Sequence, residues 1–150
     1  MSYQEKNITV SLMTSLLILG FFGVNVFQML QSGGLVPSRV FTLWAIIIVV
    51  TILSTILSSI LTNILLSIVH AIRTRSEEEE RFIEDERDRL IGLKGTRFSY
   101  ITFSIGVLIA MLTFVFGQPP LVMFTLIVFF SIAAEVVGSL SQIYLYRRGF

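Results

Sequence analysis

The sequence predicts an all-α fold: an integral membrane four-helix bundle with a helical, charged cytoplasmic linker between spans two and three. Three observations carry this expectation. The chain of 150 residues is 54% hydrophobic, with a mean hydropathy of +0.84. Only 14% of it is charged, against about a quarter in an ordinary soluble domain. The charge is also unevenly spread: of 21 charged residues, 15 lie between Arg73 and Arg97, with long uncharged tracts on either side. A bilayer core admits no solvent to hydrate charge, so a chain that crosses it gathers its charges between apolar stretches of ~20 residues.

The whole chain, 1–150, reads as one transmembrane domain. The first span is expected at about 8–30. It reads as a span and not as a cleaved leader: it is too long for a leader's apolar region, and no small-x-small cleavage site follows it. Gln31 to Ser38 holds two glycines and a proline, which predicts a tight turn. The second span, 40–63, can extend to 72, well beyond the ~20 residues a bilayer needs; tilt or continuation past the membrane would absorb the excess. The third is expected at 98–116. Gly117-Gln118-Pro119-Pro120 predicts a second tight turn, and the fourth span follows at 121–146.

Orientation follows from the basic residues. The N-terminus, the 73–97 linker and the C-terminus hold ten of the eleven Lys and Arg, and the two short turns hold only Arg39. The positive-inside rule therefore places both termini and the linker in the cytoplasm; the linker's acids count little in that rule. Tyr144 and Tyr146, beside Arg147 and Arg148, read as interfacial anchors closing span four.

The linker reads as helix, with no Pro or Gly before Gly92 and opposite charges four apart at Arg75/Glu79, Glu77/Arg81, Arg81/Asp85 and Asp85/Arg89. Each pair contributes a few tenths of a kcal/mol to a solvated helix. The plain reading is a spacer helix. The sharper one is a docking surface centred on Asp85, Glu86, Arg87, Asp88, Arg89 and Lys94, for another copy or a cytoplasmic protein. A metal site is not expected there, because consecutive helical carboxylates point in different directions.

Inside the membrane the most informative residue is Glu135. It lies 12 residues before Arg147, about 18 Å along a helix, too deep for a short side chain to reach the interface. Ser131, Glu135, Gly138 and Gln142 fall on one side of span four, a seam that must face protein or water and not lipid. On span two, Thr51, Thr55, Ser58 and Thr62 stack on one face, flanked by Ser54 and Ser59. Spans two and four run in the same direction, so Glu135 is expected level with roughly Ser54 to Ser59, whose hydroxyls can donate to a carboxyl. Span three carries a small-residue face at Thr102, Gly106, Ala110 and Thr113, which permits close helix approach. Span one adds Asn25 and Gln28 near its outer end. For the hydroxyl stripe and the glycines, ordinary helix packing is the competing explanation. For Glu135 that explanation is weaker, because an intramembrane acid is costly and commonly marks a proton or cation site.

Several function classes fall away. The chain has no cysteine, and His70 is its one histidine, which leaves no ligand cluster for a metal. There is no nucleophile–base pair, no glycine-rich phosphate loop and no carboxylate pair within the spans. No enzyme activity and no cofactor are expected. A net charge of +1 gives no attraction to nucleic acid.

Asp85-Glu86-Arg87-Asp88-Arg89-Leu90-Ile91, followed by Lys94-Gly95, resembles the signature of a family of small prokaryotic four-span membrane proteins of no assigned activity, a D-E-R-D/E-R-L-I-x-x-K motif entering the third span. The closing Leu145-Tyr146-Arg147-Arg148-Gly149 and the acid at Glu135 are similar to that family too. The resemblance covers about residues 84–149, while the first two spans are generic. It implies a prokaryotic inner-membrane protein, with a regulatory partner suggested by relatives encoded beside small helix-turn-helix regulators.

The resulting expectation is a non-enzymatic membrane protein acting through protein–protein contacts, regulatory or scaffolding. Its partners would be membrane lipid and either a second copy, with a dimer favoured, or a protein bound at the linker. The alternatives are a small proton- or cation-coupled transporter using Glu135, and a structural or lipid-binding subunit of a membrane complex.

Overall fold

The computed structural model describes residues 3–73 and 86–148, and those residues form four helices and no strand. They are α1 (Tyr3–Gln31), α2 (Pro37–Arg73), α3 (Glu86–Val115) and α4 (Pro120–Arg147). All four are long and apolar enough to cross a membrane. At 37 residues α2 is the longest of the described helices and runs on to Arg73, and its membrane-compatible part among the described residues is Pro37–Ser54. The third helix starts earlier than hydropathy places it. Residues 86–97, assigned to the linker by their charge, form its first three turns and continue without a break into the apolar stretch. Backbone hydrogen bonding in a helix is indifferent to whether side chains are charged, so hydropathy marks the membrane-compatible part and not the helix end. Residues 74–85, including Asp85, lie outside the described residues.

Both described turns are built on glycine. Gly33 and Gly34 have φ of 114° and 107°, and Gly117 has φ 82°, conformations that a Cβ disfavours. At the end of α3, the Gln118 amide donates to the Thr113 carbonyl (3.1 Å) and the Gly117 amide to that of Phe114 (3.0 Å), the paired bonds of a Schellman stop. At the end of α1, the Gly34 amide reaches the Met29 carbonyl in the same way (3.0 Å). Pro37 and Pro120 then open α2 and α4, each at a first-turn position where a missing N–H costs nothing.

The helices do not pack evenly. α4 is the central element, with α3 laid along one side and α1 along the other. The α3–α4 contact depends on missing side chains. A methyl added at Gly95 would collide with Gln142, one at Gly106 with Phe130, and one at Gly138 with Ser99. These three pairs step along the helices in opposite directions with a constant register, so α3 and α4 are antiparallel and in close contact over some three turns. In lipid, where apolar burial drives little, such close backbone approach is the main source of helix–helix attraction.

By contrast α2 is held mainly by its first turns. Val40, Leu43 and Ile47 are buried with Phe22 and Met29 of α1 and Val128 and Ile132 of α4. Phe41 and Trp44 stack on Phe124, at 5.0 and 5.8 Å between ring centres. Beyond Ile47 the described large apolar side chains of α2, from Ile48 through Ile64, are exposed. This helix leaves the other three as it runs away from the turn.

Candidate functional site

Among the described residues, two clusters gather the chemistry-bearing side chains. The first surrounds Glu135, at the middle of α4. Glu135 is exposed on the helix surface and forms no hydrogen bond or ion pair with another described residue. It faces a half-open cavity of about 290 Å³. Asn7, Ser11, Thr14 and Ser15 of α1 form one wall, with Ile8 and Ile18; Thr51 and Ser54 of α2 form the other. Thr14 turns its hydroxyl hydrogen back to the Val10 carbonyl (3.0 Å), so its oxygen is left as an acceptor. Backbone carbonyls within the same helix take hydroxyl hydrogens in this way along all four helices, as at Thr42, Thr96, Thr125 and Ser141. The cavity thus offers one carboxyl group and a set of hydroxyl and amide oxygens.

The polar seam expected along α4 is divided between two neighbours. Glu135 looks toward α1 and α2. Gln142, two turns further on, lies half-buried against Gly95 of α3. Ser131 is exposed, bonds the Val128 carbonyl (2.7 Å), and does not line the cavity. On α2, Ser54 lies at the level of Glu135, as the helix offsets predict. Thr55, Ser58, Ser59 and Thr62 belong to the α2 backbone, but their side chains lie outside the described residues.

The α1 wall was not anticipated. Its signal is present in the sequence as Asn7, Ser11 and Ser15 at i, i+4 and i+8, one helical face. Three short polar residues in an otherwise apolar span resemble ordinary packing, and only their position opposite Glu135 sets them apart.

The second cluster is at the charged end, where the start of α3, the end of α4 and the start of α1 meet. The Tyr146 hydroxyl donates to the Asp88 carboxylate at 2.7 Å. Arg87 reaches the Tyr146 carbonyl at 3.5 Å. One turn further along α3, Ile91 is fully buried, and Gly95 follows it against Gln142. Arg147 lies 3.9 Å from Glu5, and Arg148 sits over the Tyr144 ring at 5.4 Å. The exposed Arg147 contact is worth little, since water screens it. The Asp88–Tyr146 bond is better placed, being short and partly buried.

This arrangement joins the two motifs of the linker and the C-terminus. The E-R-D-R-L-I run, 86–91, and the L-Y-R-R run, 145–148, are the two sides of one helix–helix contact. Asp88 is half-buried against α4, Arg87 is exposed but reaches the Tyr146 carbonyl, Lys94 is half-buried, and Glu86 and Arg89 stand exposed. No protein-family model, no curated protein and no solved structure matches this chain.

Proposed function

We propose that the chain is a non-enzymatic, multi-pass protein of the prokaryotic inner membrane that works through contacts between its helices and those of a second copy. In this reading the four helices form a membrane bundle, both termini and the 73–97 segment lie in the cytoplasm, and that segment is helical. The positive-inside pattern supports the orientation, and the motif resemblance supports the prokaryotic membrane.

The exposure of Glu135 carries the reading. An acidic side chain at the centre of a membrane helix costs about 2.5–3.5 kcal/mol on insertion scales, so such residues face protein or water. In one copy Glu135 has polar walls on two sides and remains uncovered. α2 contributes Thr51 and Ser54 at this depth and leaves the cavity half-open. A second copy seated there completes the enclosure. The absence of native cysteine makes a direct test possible. Ser131→Cys, one turn from Glu135, is expected to crosslink between copies in native membranes several-fold more than Leu108→Cys on the outer side of α3. Equal crosslinking from the two positions would sink the proposal.

One specific observation favours a second reading, proton- or cation-coupled transport. The Glu135 cavity has the volume and the polar partners to hold several waters. In proteoliposomes, a flux driven by a proton or sodium gradient and abolished by Glu135→Gln would establish it. The same flux in both proteins would remove Glu135 from any transport step.

A further inference from the structure

A second cavity, remote from Glu135, lies between α1 and α2 at the turn end and has a volume of about 530 Å³. The helices are joined by a short turn and pack with α4 through Phe22, Met29, Val40, Leu43 and Ile47, of which Met29 and Leu43 also back the cleft. On the other side they separate into a cleft, and no residue of α4 lines it.

The cleft is graded with depth. Ser32, Ser38 and Arg39 stand at its mouth. Gln28 and Thr42 follow below them, Met29 and Leu43 are its buried floor, and the exposed Phe21 and Ile46 flank its apolar deep end. From Ser32 to Phe21 is 11 residues of helix, about 16 Å. Arg39 is the only Asp, Glu, Lys or Arg between Lys6 and Arg73. It is exposed and makes no ion pair with a described residue. The hydroxyl hydrogens of Ser32 and Thr42 are taken by the carbonyls of Met29 (3.2 Å) and Ser38 (2.8 Å), and the amide of Asn25 by that of Phe21 (2.8 Å). The donors left to face the cleft are the Arg39 guanidinium, the Gln28 amide, the Ser38 hydroxyl and the second amide hydrogen of Asn25.

We propose that this cleft binds an anionic phospholipid, with the phosphate on Arg39 and an acyl chain over Phe21 and Ile46. The charge selects an anion, since a guanidinium presents a fork of donors suited to phosphate oxygens. The gradient selects a lipid over a free anion, because a small anion would occupy the mouth and leave the apolar floor unused. Gln28, just below the mouth, is a donor at the level of the ester carbonyls, and Ser38 at the mouth is a second donor for the phosphate. The inference rests on the helices crossing a bilayer, which places the turn end at an interface, and is independent of whether copies associate at Glu135.

The test is native mass spectrometry of the detergent-solubilised protein, titrated with phosphatidylglycerol or with phosphatidylcholine of the same acyl chains. The wild type is expected to retain phosphatidylglycerol preferentially. Arg39→Gln should lower that affinity about tenfold, the scale of one charge-assisted contact. Arg39→Lys should restore most of it, and Ile46→Trp, which crowds the apolar deep end, should weaken binding with the charge intact. Equal retention of the two lipids, or no effect of Arg39→Gln, would overturn the proposal. Displacement of the lipid by millimolar inorganic phosphate would overturn it too, reassigning the cleft to a soluble anion. Membrane fractionation reads the bilayer premise separately.

Discussion

Gly106→Val is expected to separate α3 from α4 and to lower the thermal unfolding midpoint in detergent far more than Gly92→Val. Both substitutions place a β-branched residue within the same helix, so their intrinsic helix cost is alike. Their surroundings differ. A Cβ at Gly92 meets nothing within 4 Å, whereas one at Gly106 falls on the Cβ and Cγ of Phe130. The Cβ is fixed by the backbone and stays in place in every rotamer, so even when the ring turns away the backbones themselves must move apart. Overpacking of this kind costs about 1–3 kcal/mol and more where backbone shifts propagate. The α3–α4 contact is the most extensive in the molecule, and its register also places Gly95 and Gly138, which makes propagation the expected result. Phe130→Ala should recover part of the loss in a Gly106→Ala background, as a coupling in a double-mutant cycle. Equal midpoints for the two valine variants would show that α3 and α4 are not held by close approach at Gly106.

Ile91→Ala is expected to destabilise by about 2–5 kcal/mol, the range for truncating a fully buried isoleucine. Ile91 is the largest side chain with essentially no exposure among the described residues. It lies one turn from Asp88, which holds Tyr146, and one turn from Gly95, which admits Gln142. Its loss should therefore loosen the whole charged end and speed amide exchange in the first turns of α3 and the last turns of α4. Leu93→Ala is the matched control: the side chain is 60% exposed, and its truncation should leave both readouts near wild type. Similar exchange in the two variants would mean that the charged end is held by the polar contacts alone.

How much of this was legible differs from element to element. The four helices follow from apolar tracts punctuated by Gly33, Gly34, Gly117 and the following prolines, because backbone satisfaction and turn stereochemistry are local properties. The small residues Gly106 and Ala110 could be picked out by spacing, but Phe130 as the partner of Gly106 could not. Ser54 at the level of Glu135 follows from counting residues along two helices that run the same way. Gln142 was misplaced in the Glu135 seam for a related reason. Helical angle alone puts the two on one side of α4, while the boundary between the α1 and α3 neighbours falls between them.

By itself the sequence determined what each segment can be: four apolar helices, two glycine stops, a central charge cluster and one acid at mid-helix. These are consequences of composition and local stereochemistry, and they hold whatever the helices touch. The tertiary structure decided which surfaces meet. It made α4 the hub, brought Arg87 and Asp88 of the charged motif to Tyr146, set the α1 hydroxyls opposite Glu135, and left one cavity at Glu135 and another beside the α1–α2 turn. Helix faces of similar polarity are interchangeable by pattern alone. Glycine against a particular ring or amide, at a spacing that a single methyl would close, is what selects among them.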